Sequence, residues 1–275
     1  MTMAPDHSPV VLITGCSSGI GRATARRFLD AGWRVWATAR DPTDITDLAD
    51  AGCRTAALDV TDGGQIDAVV ERVVARDSRI DCLVNNAGYG QAGAVEEIPV
   101  DQLRAQFEVN VFGPVRLAQA VLPHMRGAGS GRIVNVSSLL GRVAYPTRGA
   151  YAGSKHALEA LSESLRAETA GVGVDVVLIE PGAVRTGFED RLHETESTLD
   201  EVAEYGRLRR LVDRAQRLSE RRGMAPERVA DEIYRAASVE RPERRYVVGW
   251  DARLAILADR VVPARVTEWL YRRLA

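Results

Sequence analysis

Lysine is almost absent from this chain. Of its 36 basic residues 35 are arginine, and the single lysine is Lys155. The 38 acidic residues nearly balance them and give a formal net charge of −2. A near-neutral total excludes a strongly basic nucleic-acid-binding protein, which needs a marked excess of positive charge. It also excludes a highly acidic chain that stays disordered through self-repulsion.

Cysteines and long apolar runs are also scarce. Cys16, Cys53 and Cys82 are widely spaced and form neither a CxxC pair nor a Cys/His cluster, so neither a disulfide framework nor a metal site is predicted. No stretch reaches the roughly 18 to 20 apolar residues that cross a bilayer. The start of the chain has neither the basic nor the apolar part of a secretory signal. These features predict a protein of a reducing compartment, the cytoplasm.

Hydrophobic periodicity predicts alternating strands and helices, and a hydrophobic content of 45% is enough for one sizeable core. Segment 174–179 is too apolar to have a solvated face, which is typical of a sheet covered on both sides. Strands are predicted at 10–13, 34–38, 55–58, 80–84, 132–136, 174–179 and 246–248, and helices at 20–31, from 61 or 62, at 99–126, at 149–170 and from 225. This order predicts an α/β fold, a single domain over 1–275 with a doubly wound parallel sheet.

Two further segments lie outside the alternation. Residues 187–224 are polar and rich in arginine, yet their apolar residues fall on one helical face. This insertion follows the sixth strand, where ligands bind in such folds, so we expect a helical substrate lid. Its arginines are interpreted as a solvated helix face or, alternatively, as a surface for phosphates or acids. The hydrophobic tail, 251–275, fits packing on the domain, contact with another subunit or contact with a membrane surface.

A glycine-rich turn follows the first strand and precedes a helix. Glycine lets the backbone approach a pyrophosphate closely, and the helix N-terminus offers free N–H groups and a positive dipole end. The turn therefore predicts a dinucleotide-binding loop, although a purely structural turn has a similar composition. The residues expected to bind the cofactor are Gly15, Ser17, Ser18, Gly19, Ile20 and Gly21, with Cys16 as a small filler.

The end of the second strand bears on the choice of cofactor. NAD-specific sites usually carry an acidic side chain here, which binds the ribose 2′-hydroxyl. This chain has Ala39 followed by Arg40. A guanidinium pairs with a 2′-phosphate, which a carboxylate would repel. We therefore predict NADP(H) rather than NAD(H), and the alternative is that Arg40 is an ordinary surface arginine.

A tyrosine and the single lysine lie four residues apart in a predicted helix. Tyr151 and Lys155 consequently share one helical face. A free tyrosine has a pKa near 10, and a neighbouring cation lowers that pKa toward the range useful for proton transfer. The pair predicts an acid–base group, although the same spacing also arises in a plain cation–aromatic contact.

The sequence resembles the classical short-chain dehydrogenase/reductase family over about residues 9–188. The resemblance rests on TGCSSGIG at 14–21, Asp59 and Val60 in LDVTD, Asn86, Ala87 and Gly88 in NNAG, Asn110 in FEVNVFG, Ser138 thirteen residues before Tyr151, and Pro181, Gly182, Val184 and Thr186 in PGAVRT. It implies a Rossmann-type fold. The long insert and hydrophobic tail give an outline similar to the steroid- and retinoid-type branch.

The resemblance also implies roles in hydride transfer between NADP(H) and a carbonyl or alcohol carbon. Tyr151 is the implied acid–base group, and Ser138 the implied hydrogen-bonding partner of the substrate oxygen. Lys155 is expected to lower the pKa of Tyr151 and to bind the nicotinamide ribose, and Asn110 to hold a proton-relay water. Asp59 and Val60 are expected at the adenine ring, the NNAG segment along the cofactor, and PGAVRT at the nicotinamide carboxamide.

The substrate and the assembly are expected from the same resemblance. Candidate substrate-lining residues near the chemistry are mostly apolar or aromatic, so a hydrophobic ketone, aldehyde or secondary alcohol is expected. The family usually pairs its long helices, here 99–126 and 149–170, which implies a homodimer or homotetramer. The candidates are Ser138, Leu140, Tyr145, Tyr151 and Phe188, together with Tyr89, Gln91, Leu139 and Ala183.

Two other classes of function share parts of this pattern. A sensing or scaffolding protein that binds NADP(H) keeps the phosphate loop without turnover. Epimerases and dehydratases of related fold carry a larger substrate domain. The full set Asn110, Ser138, Tyr151 and Lys155 favours the oxidoreductase over the first class, and the chain length favours it over the second.

Overall fold

A computed structural model describes residues 8–188, 192, 195, 199, 200 and 202–274 of the chain. In this part of the chain one parallel sheet has the strand order β3-β2-β1-β4-β5-β6-β7. Strands β2 and β3 are added on one side of β1, and β4 to β7 on its other side. The predicted α/β fold with a doubly wound parallel sheet is confirmed. Its strands are β1 (Val10–Ile13), β2 (Arg34–Ala39), β3 (Arg54–Ala57), β4 (Cys82–Asn85), β5 (Gly131–Val136), β6 (Val174–Pro181) and β7 (Arg245–Val248).

The helices connect the strands and extend beyond the last one. Asp62 caps the third helix by accepting a hydrogen bond from Gln65 N at 3.1 Å. Short 3₁₀ turns occur at Pro42–Ile45, Leu139–Gly141 and Ala203–Tyr205. The α-helices are α1 (Gly19–Asp30), α2 (Thr46–Asp50), α3 (Gly63–Asp77), α4 (Val100–Phe107), α5 (Gly113–Ala128), α6 (Gly149–Thr169), α7 (Gly206–Arg221), α8 (Pro226–Ser238), α9 (Trp250–Val261) and α10 (Ala264–Leu274).

Helices bury both faces of the sheet, as predicted. In β1, Val11 and Ile13 pack in one core cluster with Phe28 of α1 and with apolar residues of α8. Val10 and Leu12 belong to the opposite cluster, which α3 and α5 complete. This alternation follows from the period-two geometry of a strand, and it explains why the strands have no polar face.

The helix predicted as continuous over 99–126 is interrupted. A π-helical segment, Glu108–Phe112, separates α4 from α5. Pro114 has no N–H, so it cannot make the hydrogen bond that an α-helix would give to the carbonyl of Asn110. The widened turn places Asn110 in the buried wall beside the carboxyl edge of the sheet.

The lid and the tail lie next to each other. α7 is the described helix of the predicted lid at 187–224, while positions 189–191, 193–194, 196–198 and 201 of that lid lie outside the described residues. In the tail, α9 follows β7, and α10 packs against α7. Within the described ranges no helix is long and apolar enough to cross a membrane.

Candidate active site

The loop after β1 is shaped by glycines that no other residue could replace without movement. Gly15 and Gly19 have φ angles of +71° and +53°, in the left-handed region. A Cβ on Gly21 would lie 2.2 Å from the carbonyl oxygen of Gly15. Burial raises the pKa of the Cys16 thiol to about 12, in agreement with its interpretation as a filler. The tight loop therefore brings the N-terminus of α1 up to the carboxyl edge of the sheet.

Two polar side chains fix this loop to the end of β4. The Asn86 amide donates to the carbonyl oxygens of Thr14 and Gly15 at 2.9 and 3.0 Å. The Thr14 hydroxyl accepts hydrogen bonds from the backbone N–H groups of Asn86 and Ala87, both at 3.0 Å. The NNAG segment thus holds the glycine loop in place as well as lying along the site.

One cavity of about 1170 Å³ runs along the carboxyl edge of the sheet. It begins at the glycine loop, passes the NNAG segment and ends beneath the lid and the tail. Three of the predicted site residues do not line it: Gly21, Gln91 and Asn110. The others line it: Gly15, Ser17, Ser18, Gly19, Ile20, Arg40, Asp59, Val60, Asn86, Ala87, Gly88, Ser138, Leu140, Tyr145, Tyr151, Lys155, Pro181, Gly182, Val184, Thr186 and Phe188.

Tyr151 and Lys155 meet at the middle of this cavity. Both lie on the buried face of α6, and the Lys155 ammonium is 5.7 Å from the centre of the Tyr151 ring. Lys155 Nζ donates to the carbonyl oxygen of Val136 at 2.8 Å, which holds the ammonium against the end of β5. Burial lowers the pKa of Lys155 to about 8, and the Glu159 carboxylate opposes this shift.

A buried charge network lies one helical turn beyond Lys155. Glu159 Oε2 accepts from Arg245 Nε at 3.0 Å. The Glu180 carboxylate pairs with the same Arg245 at 2.8 Å and with Arg142 at 3.3 Å. Burial, with the neighbouring Glu159 charge, raises the pKa of Glu180. Within this network Glu159 is the carboxylate whose charge acts on Lys155.

Ser138 lies at the carboxyl end of β5, where the chain turns. Its Oγ accepts a hydrogen bond from Leu140 N at 3.1 Å and caps the 3₁₀ turn that follows. This fixes the position of the oxygen and leaves the hydroxyl proton available to an acceptor in the cavity.

Asn110 supports the site from behind. Its amide nitrogen donates to Tyr89 O at 2.9 Å and to Ser154 Oγ at 3.0 Å, and its oxygen accepts from Tyr89 N at 3.1 Å. The side chain therefore ties the π segment to the NNAG segment and to α6. Both amide hydrogens are used within the protein, so the side chain is committed to positioning.

Arg40 and Asp59 lie at the far end of the cavity from Tyr151. Arg40 is exposed beside Ala39, and none of the described carboxylates forms an ion pair with it. Asp59 accepts hydrogen bonds from the backbone and hydroxyl of Thr61, at 2.9 and 2.7 Å. This end of the cavity therefore offers the Arg40 guanidinium to a ligand, outside ion-pair distance of the described carboxylates.

The segment after β6 closes over the glycine loop. A Cβ on Gly19 would lie 2.9 Å from Cγ2 of Thr186, so the two segments touch. Val184 forms a bridge with Met224, and Ala183 N donates to Asp251 Oδ2 at 2.7 Å. PGAVRT is thereby held between the loop and the C-terminal tail.

The apolar end of the cavity differs in part from the prediction. Phe188 lies 5.3 Å from the Tyr151 ring, measured between ring centres. Gln91 does not line the cavity, because its side chain is buried and donates to the carbonyl of Ala92 at 3.2 Å. Sequence reasoning missed the contribution of the tail, whose lining residues are Asp251, Ala255 and Tyr271. Among the described residues no cluster of potential ligands could hold a metal ion.

The sequence profile described as short chain dehydrogenase matches residues 9–197, well over half of the chain. The chain belongs to the short-chain dehydrogenase family. It is therefore an oxidoreductase of that type, and its Rossmann-type fold is the family's fold.

Two curated relatives match this short-chain dehydrogenase over nearly its full length. The uncharacterized oxidoreductase YbbO of Escherichia coli (strain K12) is 37% identical over 259 residues, which are 94% of this chain and 92% of that protein. The NADPH-dependent 3-dehydrocapnine reductase of Ornithobacterium rhinotracheale is 33% identical over 270 residues, which are 94% and 95% of the two chains.

Solved structures share the fold. A short-chain dehydrogenase from Streptomyces avermitilis is 37% identical, with 98% of both chains covered and a TM-score of 0.83. Two further members, each 28% identical, were solved in complex with NAD in one case and NADP in the other. Members of the family thus bind either nicotinamide dinucleotide.

Proposed function

We propose that this short-chain dehydrogenase uses NADP(H) to interconvert a hydrophobic carbonyl compound and its alcohol. The observation that carries the proposal is the placement of Tyr151, Lys155 and Ser138 on one cavity that begins at the glycine loop. A binding protein without turnover has no need of a tyrosine beside a buried lysine at this place.

The residues of the loop fit a dinucleotide. The glycines leave a cradle that a Cβ at Gly15 would fill, since it would lie 2.8 Å from the Cα of Ala87. Residues 15–20 would hold the pyrophosphate, Asp59 and Val60 the adenine, and the PGAVRT segment the nicotinamide amide. The bound cofactor supplies or accepts the hydride.

The chain's own residues handle the proton. In the reductive direction the Tyr151 hydroxyl donates its proton to the substrate oxygen while Ser138 hydrogen-bonds the same oxygen, where negative charge develops. The Lys155 ammonium favours the phenolate that Tyr151 leaves behind. Because Pro114 withholds an α-helical partner from the Asn110 carbonyl, we assign the relay water to that backbone oxygen rather than to the side chain.

Replacing Tyr151 with phenylalanine tests the reaction. We expect turnover with NADPH and a reactive ketone to fall by about 10²- to 10⁴-fold, because a positioned acid–base group contributes that much. Cofactor binding, followed by fluorescence titration with NADPH, should stay near the wild-type affinity. Wild-type turnover in Tyr151→Phe would contradict the mechanism, and absence of turnover in the wild type across a broad carbonyl panel would favour a binding protein.

The choice of NADP(H) rests on Arg40. Arg40→Asp should shift the ratio of kcat/KM for NADPH over NADH toward NADH by at least about tenfold, because the carboxylate repels the 2′-phosphate that the guanidinium attracts. Arg76→Asp, at an exposed arginine of α3, is the matched control. An unchanged ratio in Arg40→Asp would remove this support and favour NAD(H) use without a 2′-phosphate contact.

The substrate class rests on the end of the cavity near Tyr151. Leu140, Tyr145 and Phe188 line it, and Leu211 and Tyr271 continue the lining toward the lid and the tail. Such a wall favours an apolar substrate over a polar one. A homodimer or homotetramer and a location in the cytoplasm stay predictions from the sequence and the family resemblance.

A further inference from the structure

Helix α9 turns an apolar face toward solvent. Its apolar residues recur at intervals of four, three and four, which places them on one side of the helix: Trp250, Leu254, Leu257 and Val261. Their exposed fractions are between 57% for Leu254 and 68% for Val261. An amphipathic helix of a globular protein normally buries such a face against the core. Here the face is uncovered.

Helix α10 extends this uncovered surface. Val266, Trp269 and Leu270 lie on one side of the helix and are exposed by 49%, 54% and 45%. The opposite side carries Tyr271, which points into the cavity. Exposed apolar residues concentrated in this way mark an interaction site rather than the ordinary scatter of a protein surface.

The neighbouring α7 adds a row of positive charge. Its five exposed arginines follow intervals of three, four, three and four, which again describe one side of a helix: Arg207, Arg210, Arg214, Arg217 and Arg221. Leu211 and Leu218, both exposed, border the row. On α9 and α10, Asp259 and Glu268 fall on the sides turned away from the apolar faces. Asp213 lies beside the arginines of α7, where it pairs with Arg148 of the protein body at 3.4 Å. Among the described residues the row therefore keeps a net positive charge beside the apolar faces of the tail.

The three helices also contribute to the wall of the cavity. Leu211 of α7, Ala255 of α9 and Tyr271 of α10 all line it. Leu211 in addition borders a shallow depression among the arginines of α7. A molecule that leaves the apolar surface is therefore next to the end of the cavity that leads to Tyr151.

We propose that α7, α9 and α10 form a docking surface for the face of an anionic phospholipid bilayer. The tryptophans and leucines enter the interface between head groups and acyl chains, and the arginines pair with the lipid phosphates. A second copy of the chain fits less well, because a two-fold contact through this surface would set arginine rows against each other. Docking is independent of the reaction, whereas entry of substrate from the bilayer rests on the proposed function.

Sedimentation with vesicles tests the docking. The full-length protein should bind vesicles of equal parts phosphatidylcholine and phosphatidylglycerol at least tenfold more tightly than vesicles of phosphatidylcholine alone, and added salt should weaken the binding. Arg210→Gln/Arg214→Gln/Arg217→Gln should reduce the affinity roughly 100-fold, since each cation contributes about a factor of five to ten. Leu254→Gln/Leu257→Gln should reduce it about tenfold or more.

Matched variants elsewhere on the surface serve as controls. Arg76→Gln/Arg126→Gln/Arg241→Gln removes the same number of exposed charges, and Val95→Gln removes a valine that is 73% exposed. Both should bind the anionic vesicles like the wild type. If the control triple variant lost as much vesicle affinity as the α7 triple variant, the attraction would be unspecific. If the wild type bound both kinds of vesicle equally, charge would have no role. Either result overturns the proposal.

Further outcomes separate this proposal from its competitors. Suppose that the wild type fails to bind vesicles while Leu254→Gln/Leu257→Gln has half the molecular mass of the wild type in solution. That result would assign the surface to a second copy of the chain. The docking variants should retain turnover on a small water-soluble ketone and lose it on a ketone dissolved in vesicles. A protein that reduces ketones but does not bind vesicles would contradict the docking and leave the proposed function standing. A protein that binds vesicles but has no turnover would contradict the proposed function and leave the docking standing.

Discussion

At the scale of single residues, Lys155 combines burial with charge. The residue is 5% exposed, and its ammonium donates a hydrogen bond to the carbonyl oxygen of Val136. Burial lowers the pKa of Lys155 to about 8, so the side chain stays mostly charged at neutral pH but holds its proton less firmly than a free lysine. Such a group responds strongly to a new negative charge or hydrogen-bond partner, which is useful beside an acid–base tyrosine.

We predict that Lys155→Arg loses most of the activity, by about 100-fold or more in kcat. The planar guanidinium is wider than an ammonium and has a different reach, so it cannot donate to Val136 O from the same enclosed position. Turnover with NADPH is the measurement, and a thermal melt checks that the variant folds. A fully active Lys155→Arg enzyme would mean that the site needs only a positive charge here.

The spacing of residues along the chain was sufficient to locate most of the cavity wall. The glycine loop, NNAG and PGAVRT are local patterns at the ends of strands whose positions periodicity predicts, and the Tyr151–Lys155 pair is a local pattern on one face of a predicted helix. Asp251 and Tyr271 were missed because their proximity to Ala183 and α7 depends on how the tail packs. Gln91 was wrongly predicted to line the cavity for a related reason: the sequence does not indicate to which side of a loop an amide side chain turns.

At the scale of elements, one buried ion pair fastens the lid to the body of the protein. Glu97 accepts two hydrogen bonds from Arg209 Nη2 of α7, at 2.6 and 2.7 Å. It also accepts from the backbone N–H groups of Val202 and Ala94 at 2.8 and 2.9 Å. Burial raises the pKa of Glu97, but these hydrogen bonds outweigh it, and the pKa lies below its ordinary value.

We predict that Glu97→Met opens the lid more than Arg209→Met. The first change removes one partner of the buried Arg209 guanidinium and leaves the backbone N–H groups of Val202 and Ala94 without their acceptor. The second leaves a carboxylate that keeps its backbone partners. The KM for substrate should rise about tenfold or more in Glu97→Met with little change in NADPH affinity. Equal KM values in the two variants would contradict the anchoring role.

The same anchor has a pH dependence with a defined sign. A carboxylate whose pKa is lowered by folding stabilises the folded state above its ordinary pKa, and this stabilisation is lost as the pH falls through the lowered value. The free energy of unfolding, measured by urea titration at pH 7 and at a series of acid pH values, should therefore fall more steeply toward acid pH in the wild type than in Glu97→Met.

One helix differs from the sequence prediction because a proline within it cannot donate a backbone hydrogen bond. The apolar spacing over 99–126 fits one continuous helix, yet the structure inserts a π turn at Glu108–Phe112. Pro114 was the available signal, because it denies a hydrogen bond to the residue four before it. The hydrogen bonds of Asn110 to Tyr89 and Ser154 then hold the wider turn, and no sequence pattern reports those long-range partners.

At the scale of the whole molecule, the long helices expected to pair between subunits carry exposed apolar residues. Phe112, the last residue of the π segment before α5, is 45% exposed, and Leu161 of α6 is 44% exposed. We predict that Phe112→Asp/Leu161→Asp lowers the mass measured by light scattering from that of an oligomer toward that of one chain. Leu254→Gln/Leu257→Gln, on the tail, should leave this mass unchanged; a monomeric wild type would show that these helices do not pair.

The pairing of α1 with α8 has a consequence for how the chain is made. Phe28 packs edge-on against Tyr234 at 5.3 Å, and Arg27 pairs with Asp231, a partner 204 residues further along. A ribosome releases residues in order, so the apolar side of α1 emerges long before its cover is synthesised. The nascent chain must stay unaggregated through most of its translation, and we expect fragments that stop before Pro226 to be recovered bound to chaperones.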